Sequence, residues 1–292
     1  MSLIKKAIIP IAGLGARFLP LSKAIPKELL PLVDKPAIQY IIEEIKASGV
    51  IDIVFVTRPK SKEVLNYLQK SPKLEKILKE RKKENLLEEI KKLSDLVEKI
   101  SFSFVVQKEP LGDGHAILQT KKLVEKEPFA VLFPDDIIDS KIPCLNQLEQ
   151  VFKTCQKPVI ALKKIPEKEL HRYGVCAVEK IASRIYKIKK IIEKPEPGQA
   201  PSDLAIIGRY IHTPEVFQYL KKAKPSKKGE IYMAEVLEKM LADGKIIYGY
   251  EFEGEWLDCG NKLGWLKSNF YLSLRHADFG PKLKEFLKNE KI

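Results

Sequence analysis

Phe133-Pro134-Asp135-Asp136 sets two adjacent carboxylates directly behind a wholly apolar run, Phe129 to Phe133. Neighbouring acids at such a strand end repel each other unless a cation lies between or beside them. Hard carboxylate oxygens near a nucleotide point to Mg²⁺, which takes one or two carboxylates and completes its shell with phosphate and water; a turn-forming Asp pair accounts for them equally well. Asp258, in Trp256-Leu257-Asp258-Cys259-Gly260-Asn261-Lys262, also follows an apolar run and reads either as a second metal carboxylate or as a helix N-cap. The positive complement starts at Ala12-Gly13-Leu14-Gly15-Ala16-Arg17, where glycine lets backbone N–H groups approach an anion and Arg17 adds a bidentate phosphate grip. It is not a dinucleotide fingerprint, because Phe18 stands where the third glycine would be, and no Gly-Lys-Ser/Thr makes it a Walker loop. On its own the hexapeptide could equally be a tight strand-to-helix turn.

Lys23-Ala24-Ile25-Pro26-Lys27-Glu28-Leu29-Leu30-Pro31 is too bounded by prolines for a regular helix and is expected to be a rigid loop. It would bring Lys27 near the glycine turn, concentrating charge where triphosphate oxygens could sit, while Lys23 reads as solvated. Gln107 ends a strand ahead of Pro110-Leu111-Gly112-Asp113-Gly114-His115 and can give one donor and one acceptor to a base edge. His115 reads as a helix-start or packing residue, because transfer to an already ionised phosphate needs no proton removed. Glu193-Lys194-Pro195 closes a strand; its carboxylate suits sugar hydroxyls and its lysine a phosphate, although alone it would be a charged strand end.

The elements that must position these groups follow from apolar periodicity. Ala7–Ala12, Ile51–Thr57, Phe102–Gln107 and Phe129–Phe133 are short apolar runs separated by helix-like sequence, as in Ile38, Ile41, Ile42 and Ile45 before Gly49. That order predicts an α/β fold with a mixed, mostly parallel sheet covered on both faces. Residues 58–99 are rich in Lys and Glu, with Leu74, Ile77, Leu78, Leu86, Leu87, Ile90 and Leu93 at spacings of three and four, which predicts an amphipathic helical insertion over about 60–100. Strands then come faster, at Val159–Leu162, Gly174–Val178, Ile185–Ile192 and Leu204–Ile211. Thr213 and Pro214 read as N-cap and first residue of a helix through Leu220. Ile231–Leu241 and the end of the chain, about 262–292, are also expected to be helical. Neither a repeat nor a Gly/Ser linker divides the sequence, so a single domain over 1–292 is the simplest organisation.

Composition narrows the function classes. The 292 residues carry a formal net charge of +13, built from 45 Lys and 7 Arg among 28 Glu. Dispersed lysines without an Arg-rich tract read as a solvated surface and exclude a nucleic-acid partner. No stretch approaches the roughly 18 apolar residues of a spanning helix, so no membrane role is expected. The cationic, apolar start is cut short by Arg17 and lacks a small-x-small cleavage site, which makes a buried strand the better reading than a signal peptide. Cys144, Cys155, Cys176 and Cys259 show no metal-ligand spacing and read as structural thiols of a cytoplasmic protein.

AGLGAR (12–17), KAIPKELLPLVDKP (23–36), GHA (114–116), FPDD (133–136), YGV (173–175), EKP (193–195), APSDLAIIGRY (200–210) and LDCGNKLG (257–264) occur in order across nearly the whole chain. In this set the sequence resembles the bacterial UTP-glucose-1-phosphate uridylyltransferases, within the wider sugar-nucleotide pyrophosphorylases. The resemblance implies a Rossmann-like nucleotidyltransferase fold that makes UDP-glucose and pyrophosphate from UTP and glucose 1-phosphate with Mg²⁺. It implies that Ala12, Gly13, Gly15, Glu28, Gln107 and Gly112 surround the nucleotide, and that Asp136, Gly174 and Glu193 face the sugar. Asp135 and Asp258 would hold Mg²⁺, Arg17 and Lys27 would steady the leaving pyrophosphate, and Lys194 would meet a phosphate. A homodimer or homotetramer is implied as well. Two departures stand out. The family's usual Lys-Gly-Leu-Gly-His is Leu111-Gly112-Asp113-Gly114-His115 here, which places an acid where it would be expected to tune the base pocket. Its usual Asp-Glu-Ile-Gln-Leu-Thr-Asp is Gly229-Glu230-Ile231-Tyr232-Met233-Ala234-Glu235, and no site is assigned there. The alternatives are a related enzyme using dTTP or N-acetylglucosamine 1-phosphate, and a non-catalytic sugar-nucleotide sensor.

Overall fold

The computed structural model describes residues 2–124, 126–226 and 229–290. The chain opens with strand β1 (Lys6–Pro10), then three single 3-10 turns at Ala16–Phe18, Leu21–Lys23 and Lys27–Leu29, and a small hairpin of β2 (Pro31–Leu32) and β3 (Lys35–Pro36). Helix α1 (Ala37–Ala47) leads to β4 (Asp52–Thr57), and α2 (Glu63–Leu68), α3 (Pro72–Glu80) and α4 (Glu84–Val97) precede β5 (Ser101–Val106). Short α5 (Asp113–Gln119) and α6 (Lys121–Val124) lead to β6 (Phe129–Leu132), β7 (Asp136–Asp139), α7 (Cys144–Cys155) and β8 (Val159–Lys164). A 3-10 segment at Glu167–Arg172 introduces β9 (Gly174–Ala182), β10 (Ile185–Glu193) and β11 (Leu204–His212). The rest is α8 (Val216–Lys222), α9 (Met233–Ala242), β12 (Tyr248–Glu251), β13 (Glu255–Asp258), α10 (Lys262–Arg275) and α11 (Phe279–Asn289).

Nine strands form one sheet in the order β5-β4-β1-β6-β11-β8-β12-β10-β9. Its alternation divides the core. Ala7 and Ile9 of β1 face α1 and α7 with Ile41, Ile45, Leu148 and Phe152, whereas Ile8 faces α5, α8 and α9 with Ile117, Phe217 and Leu237. Burial on both faces explains why β1, β6 and β11 are apolar without alternation. The sheet is mixed as expected, but parallel in four of its eight neighbouring pairs rather than in most. The parallel pairs, such as β1 with β4 across α1 and β4 with β5 across α2–α4, need helical crossovers, whereas β9 and β10, joined by a two-residue turn, must run antiparallel.

Other differences from expectation have local causes. β5 is an edge strand, and Phe104 and Val106 of its apolar run stay exposed. In α3 and α4 no residue is fully buried; their apolar stripes pack on each other, and only Leu96 and Val97 at the end of α4 lie against the main core. Thr213 and Pro214 form a turn before the helix, which begins at Val216. Helix α9 begins at Met233 instead of Ile231 because Ile231 spends its N–H on Leu111 and its carbonyl on Gly114. The helical end is described as far as residue 290, and the last two residues of the expected 262–292 span lie outside the described residues. The four cysteines are free thiols, three of them buried. No helix among the described residues is long and apolar enough to cross a membrane.

His212, at the end of β11, is wholly buried between the Phe129 and Tyr210 rings, and neither ring nitrogen has a partner among the described residues. Burial therefore pushes its pKa down to about 3 and keeps it neutral in the fold. The unfolded chain binds a proton there near pH 6.5, so this residue costs stability increasingly as pH falls below that value, by about 1.4 kcal/mol per unit. In urea unfolding from about pH 7 to about pH 4, His212→Phe is expected to gain on wild type progressively as the pH falls. A gap that stays constant over that range contradicts the assignment.

Candidate active site

The acidic loop between β6 and β7 is built by strand pairing. β7 runs antiparallel to β13 with Asp136 opposite Asp258, and Cys259 N–H donates to the Asp135 carbonyl at 2.7 Å, so all three carboxylates arrive at one sheet end. Asp136 is fixed by two donors, Gly208 N–H to Oδ2 at 3.1 Å and Trp256 Nε1 to Oδ1 at 2.7 Å. Burial, reinforced by the charges of Asp135 and Asp258, pushes its pKa up to about 7.

Arg209 holds this loop from below. Its Nη1 donates to the carbonyls of Phe133 at 3.1 Å and Gly208 at 3.0 Å, and its Nη2 donates to the Asp136 carbonyl at 2.7 Å. Nε and Nη2 grip the Glu44 carboxylate of α1 at 2.8 to 3.2 Å. The guanidinium is completely buried; burial alone would lower its pKa, but Glu44 more than offsets that and the pKa is raised.

Four further cations stand among the acids. Lys27 Nζ lies 2.6 Å from Asp135 Oδ2. Burial opposes charge on both groups, yet their attraction prevails: Lys27 is shifted up and Asp135 down, and the pair stays ionised. Arg172 Nη2 donates to Asp258 Oδ2 at 2.5 Å, alongside Tyr173 OH at 2.9 Å and Asn261 Nδ2 at 3.0 Å. Lys194 Nζ bonds Glu193 at 2.7 Å and lies 4.5 Å above the Tyr232 ring. Arg17, in the first 3-10 turn, reaches the Gly260 carbonyl at 3.3 Å. A cavity of about 220 Å³ gathers Arg17, Asp135, Asp136, Gly174, Glu193, Lys194 and Asp258. A larger one of about 460 Å³ between α8 and α9 is lined by Tyr219, Ile231, Tyr232 and Val236 with surface pairs such as Lys239–Asp243, and by none of the site residues expected from the sequence.

Gly260 shows what fits between the acids. A Cβ there would lie 3.0 Å from Asp258 Oδ1, 3.1 Å from Asp135 Oδ2 and 3.3 Å from Arg17 Nη1, so the missing side chain leaves a cradle between two carboxylates. No group of three or more His, Cys, Asp or Glu is arranged around a metal position among the described residues. Two carboxylate oxygens with room beside them suit a hard divalent cation whose remaining ligands come from phosphate and water. Gly174 stands opposite Glu193 across β9 and β10, and a Cβ there would lie 3.2 Å from Glu193 Oε2.

Ala12, Gly13, Gly15, Glu28, Gln107 and Gly112 lie outside this cavity, along the adjoining sheet edge. Ala12 is buried just past β1, Gly13 is exposed, and Gly15 adopts a φ of 64° that starts the Arg17 turn. Gln107 Nε2 donates to the Gly112 carbonyl at 3.0 Å and also meets His115 Nδ1, whose ring Gln119 contacts from the other side; His115 is thus a packing residue. Gly112, with φ 92°, packs so closely on the Ile231 backbone that no side chain fits. Glu28 is buried beside Lys27 with Oε1 unpartnered among the described residues, and burial pushes its pKa up to about 7. Lys23 is solvated. Sequence reasoning missed Arg172, Tyr173, Arg209 and Trp256. Only Arg209 left a signal, a lone charge inside the apolar Leu204–His212 strand, which must be paired when buried.

The nucleotidyl transferase family matches residues 6–271. A UTP–glucose-1-phosphate uridylyltransferase of Staphylococcus haemolyticus is 42% identical, with 99% of each chain covered. A UDP-glucose pyrophosphorylase complexed with UDP-glucose superposes with a TM-score of 0.84 and 38% identity over 94% of this chain and 100% of its own. UTP-bound UGPase from Acinetobacter baumannii gives a TM-score of 0.89 and 34% identity over 97% and 98%.

Removing one partner of a buried, hydrogen-bonded ion pair leaves the other charge stranded, at about 3–5 kcal/mol. Arg209→Met is expected to lower stability by that amount in urea unfolding, and adding Glu44→Leu to it is expected to recover a large part. A double variant as unstable as the sum of the singles contradicts the pairing.

Proposed function

The chain belongs to the nucleotidyl transferase family, matched over residues 6–271, and on that premise we propose that it is a UTP–glucose-1-phosphate uridylyltransferase. A phosphate oxygen of glucose 1-phosphate attacks the α-phosphorus of UTP; the new P–O bond forms as the bond bridging the α- and β-phosphates breaks, and pyrophosphate leaves with its electron pair. The nucleophile is already ionised, so no base is required, in keeping with His115 being tied up by two glutamines. Two polyanions must be brought together, and catalysis is positioning and charge neutralisation. The reading rests above all on the interleaved cations and carboxylates at one sheet end: Lys27 on Asp135, Arg172 on Asp258, Lys194 on Glu193.

Arg17 and Lys27 steady the β- and γ-phosphates, and Lys194 meets the phosphate of the sugar. Glu193, Asp136 and Gly174 face the sugar, while Ala12, Gly13, Gly15, Glu28, Gln107 and Gly112 enclose the nucleotide. Asp135 and Asp258 are the residues that would hold Mg²⁺ in the Gly260 cradle. When bound, the ion supplies positive charge to the phosphate oxygens and orients them. Lys27 leaves Asp135 for phosphate as the substrates bind, which spares the carboxylate for the cation. The enzyme works in the cytoplasm as a homo-oligomer.

Pyrophosphate release should be measured with Mg²⁺ while UTP, dTTP, CTP, ATP and GTP are crossed with glucose, galactose, mannose and N-acetylglucosamine 1-phosphates. UTP with glucose 1-phosphate is expected to dominate and EDTA to abolish the signal. Asp135→Ala and Lys27→Ala are each expected to lose at least about 100-fold in kcat. Wild-type rates in both variants, or another dominant substrate pair, overturn the reading.

A further inference from the structure

Asp113 is the acid that occupies the place of the family's usual leucine, and its carboxylate is held at the start of α9. Its Oδ1 accepts two backbone N–H groups, from Gly114 at 2.8 Å and from Met233, the first residue of α9, at 3.0 Å. The turn around it is stitched to the same segment by Ile231 N–H to Leu111 O at 2.8 Å and Gly114 N–H to Ile231 O at 2.9 Å. Its side chain is therefore rigid. Gln107 meanwhile bonds the Gly112 carbonyl and the His115 ring, not Asp113. Asp113 lines the same cavity as Glu193, Asp136 and Gly174, and it is only partly buried. Oδ2 receives no hydrogen bond from another residue among the described residues. Tyr210 lines that cavity too; burial first, and then the charges of Asp113, Asp136 and Glu193, push its pKa up.

We propose that Asp113 is a specificity-determining residue of the sugar side: anchored through Oδ1 by two backbone N–H groups, it offers Oδ2 as acceptor to one hydroxyl of the glucosyl group. This rests on the proposed function and deepens it. A leucine at this position offers no such acceptor, and the two N–H groups would lose their shared partner. An exposed hydroxyl binder would gain little, but a carboxylate held rigid at the N-terminal ends of α5 and α9 donates no freedom to the complex.

The test compares wild type, Asp113→Asn and Asp113→Ala with UTP or dTTP and with glucose 1-phosphate or its 2-, 3-, 4- and 6-deoxy analogues. Asn keeps the Oδ1 acceptor for both N–H groups and replaces Oδ2 with a donor. Wild type is expected to use one deoxy analogue about 10- to 100-fold less well than glucose 1-phosphate, the worth of a hydrogen bond to a charged group. Both variants are expected to lose most of that discrimination, with KM for glucose 1-phosphate raised, KM for UTP and the UTP:dTTP ratio unchanged, and the Tm of Asp113→Asn like wild type. The proposal is overturned if discrimination against every deoxy analogue survives in Asp113→Asn, or if the UTP:dTTP ratio shifts instead. A wild type that makes no UDP-glucose fails the proposed function; Asp113 is then judged by calorimetric binding of glucose 1-phosphate, which Asp113→Asn is expected to weaken and which unchanged affinity would refute.

Discussion

Like-charge repulsion among carboxylates crowded at one end of a sheet is the constraint around which the structure is arranged. Asp113, Asp135, Asp136, Glu193 and Asp258 all line one cavity of about 220 Å³. Carboxylates so close together and only partly exposed stay ionised only with cations among them, and Asp136, whose carboxylate has no cation on it, is pushed up to about 7. Two kinds of cation serve. Arg209 is permanent: both it and Glu44 are shut away from solvent, at 0% and 9% side-chain exposure, and its other N–H groups are spent on loop carbonyls. Lys27 and Arg172 keep 21% and 34% of their side chains exposed, so an incoming anion or cation can take over either half of their pairs. One arginine thus shapes the loop, and the partly exposed cations are the ones that can release its acids.

The fold supplies this arrangement at the meeting of its two halves. β6 is the last parallel strand of the first half and β11 pairs against it in the opposite sense. Residues following β6 and residues within β11 are therefore neighbours, which is why Arg209 can reach both Phe133 and Asp136. The separate β7–β13 pair brings Asp258 across more than a hundred residues of chain to stand opposite Asp136. A reversal in strand order is where open α/β sheets place their ligands, and the candidate site lies there.

How far the sequence reveals this depends on the range of each interaction. The apolar runs of β1 and β6 and the Ile38–Ile45 stripe are local patterns and mark core elements directly. Asp135, Arg17 and Lys27 are legible because glycines, prolines and strand ends frame them. Arg172 and Trp256 carry no such frame; their roles exist only once β13 is paired, and nothing in His171-Arg172-Tyr173 announces it. Asp113 looks like a change in the base pocket when read along the chain, because only the packing of Ile231 against Gly112 ties its carboxylate to the start of α9 and to the cavity that Glu193 and Asp136 line. The parallel content of the sheet is less legible for a related reason: apolar runs show that strands are buried but not the direction of their partners.

The most direct test of this charge balance is a Mn²⁺ titration followed by electron paramagnetic resonance, with UTP present, on wild type, Asp135→Asn and Asp258→Asn. If the two carboxylates beside Gly260 exist to receive a cation, wild type binds one ion with UTP and each Asn variant binds it at least about 10-fold more weakly. Equal affinity in all three proteins would mean that these acids serve only their internal cations, and the account of the site would fail.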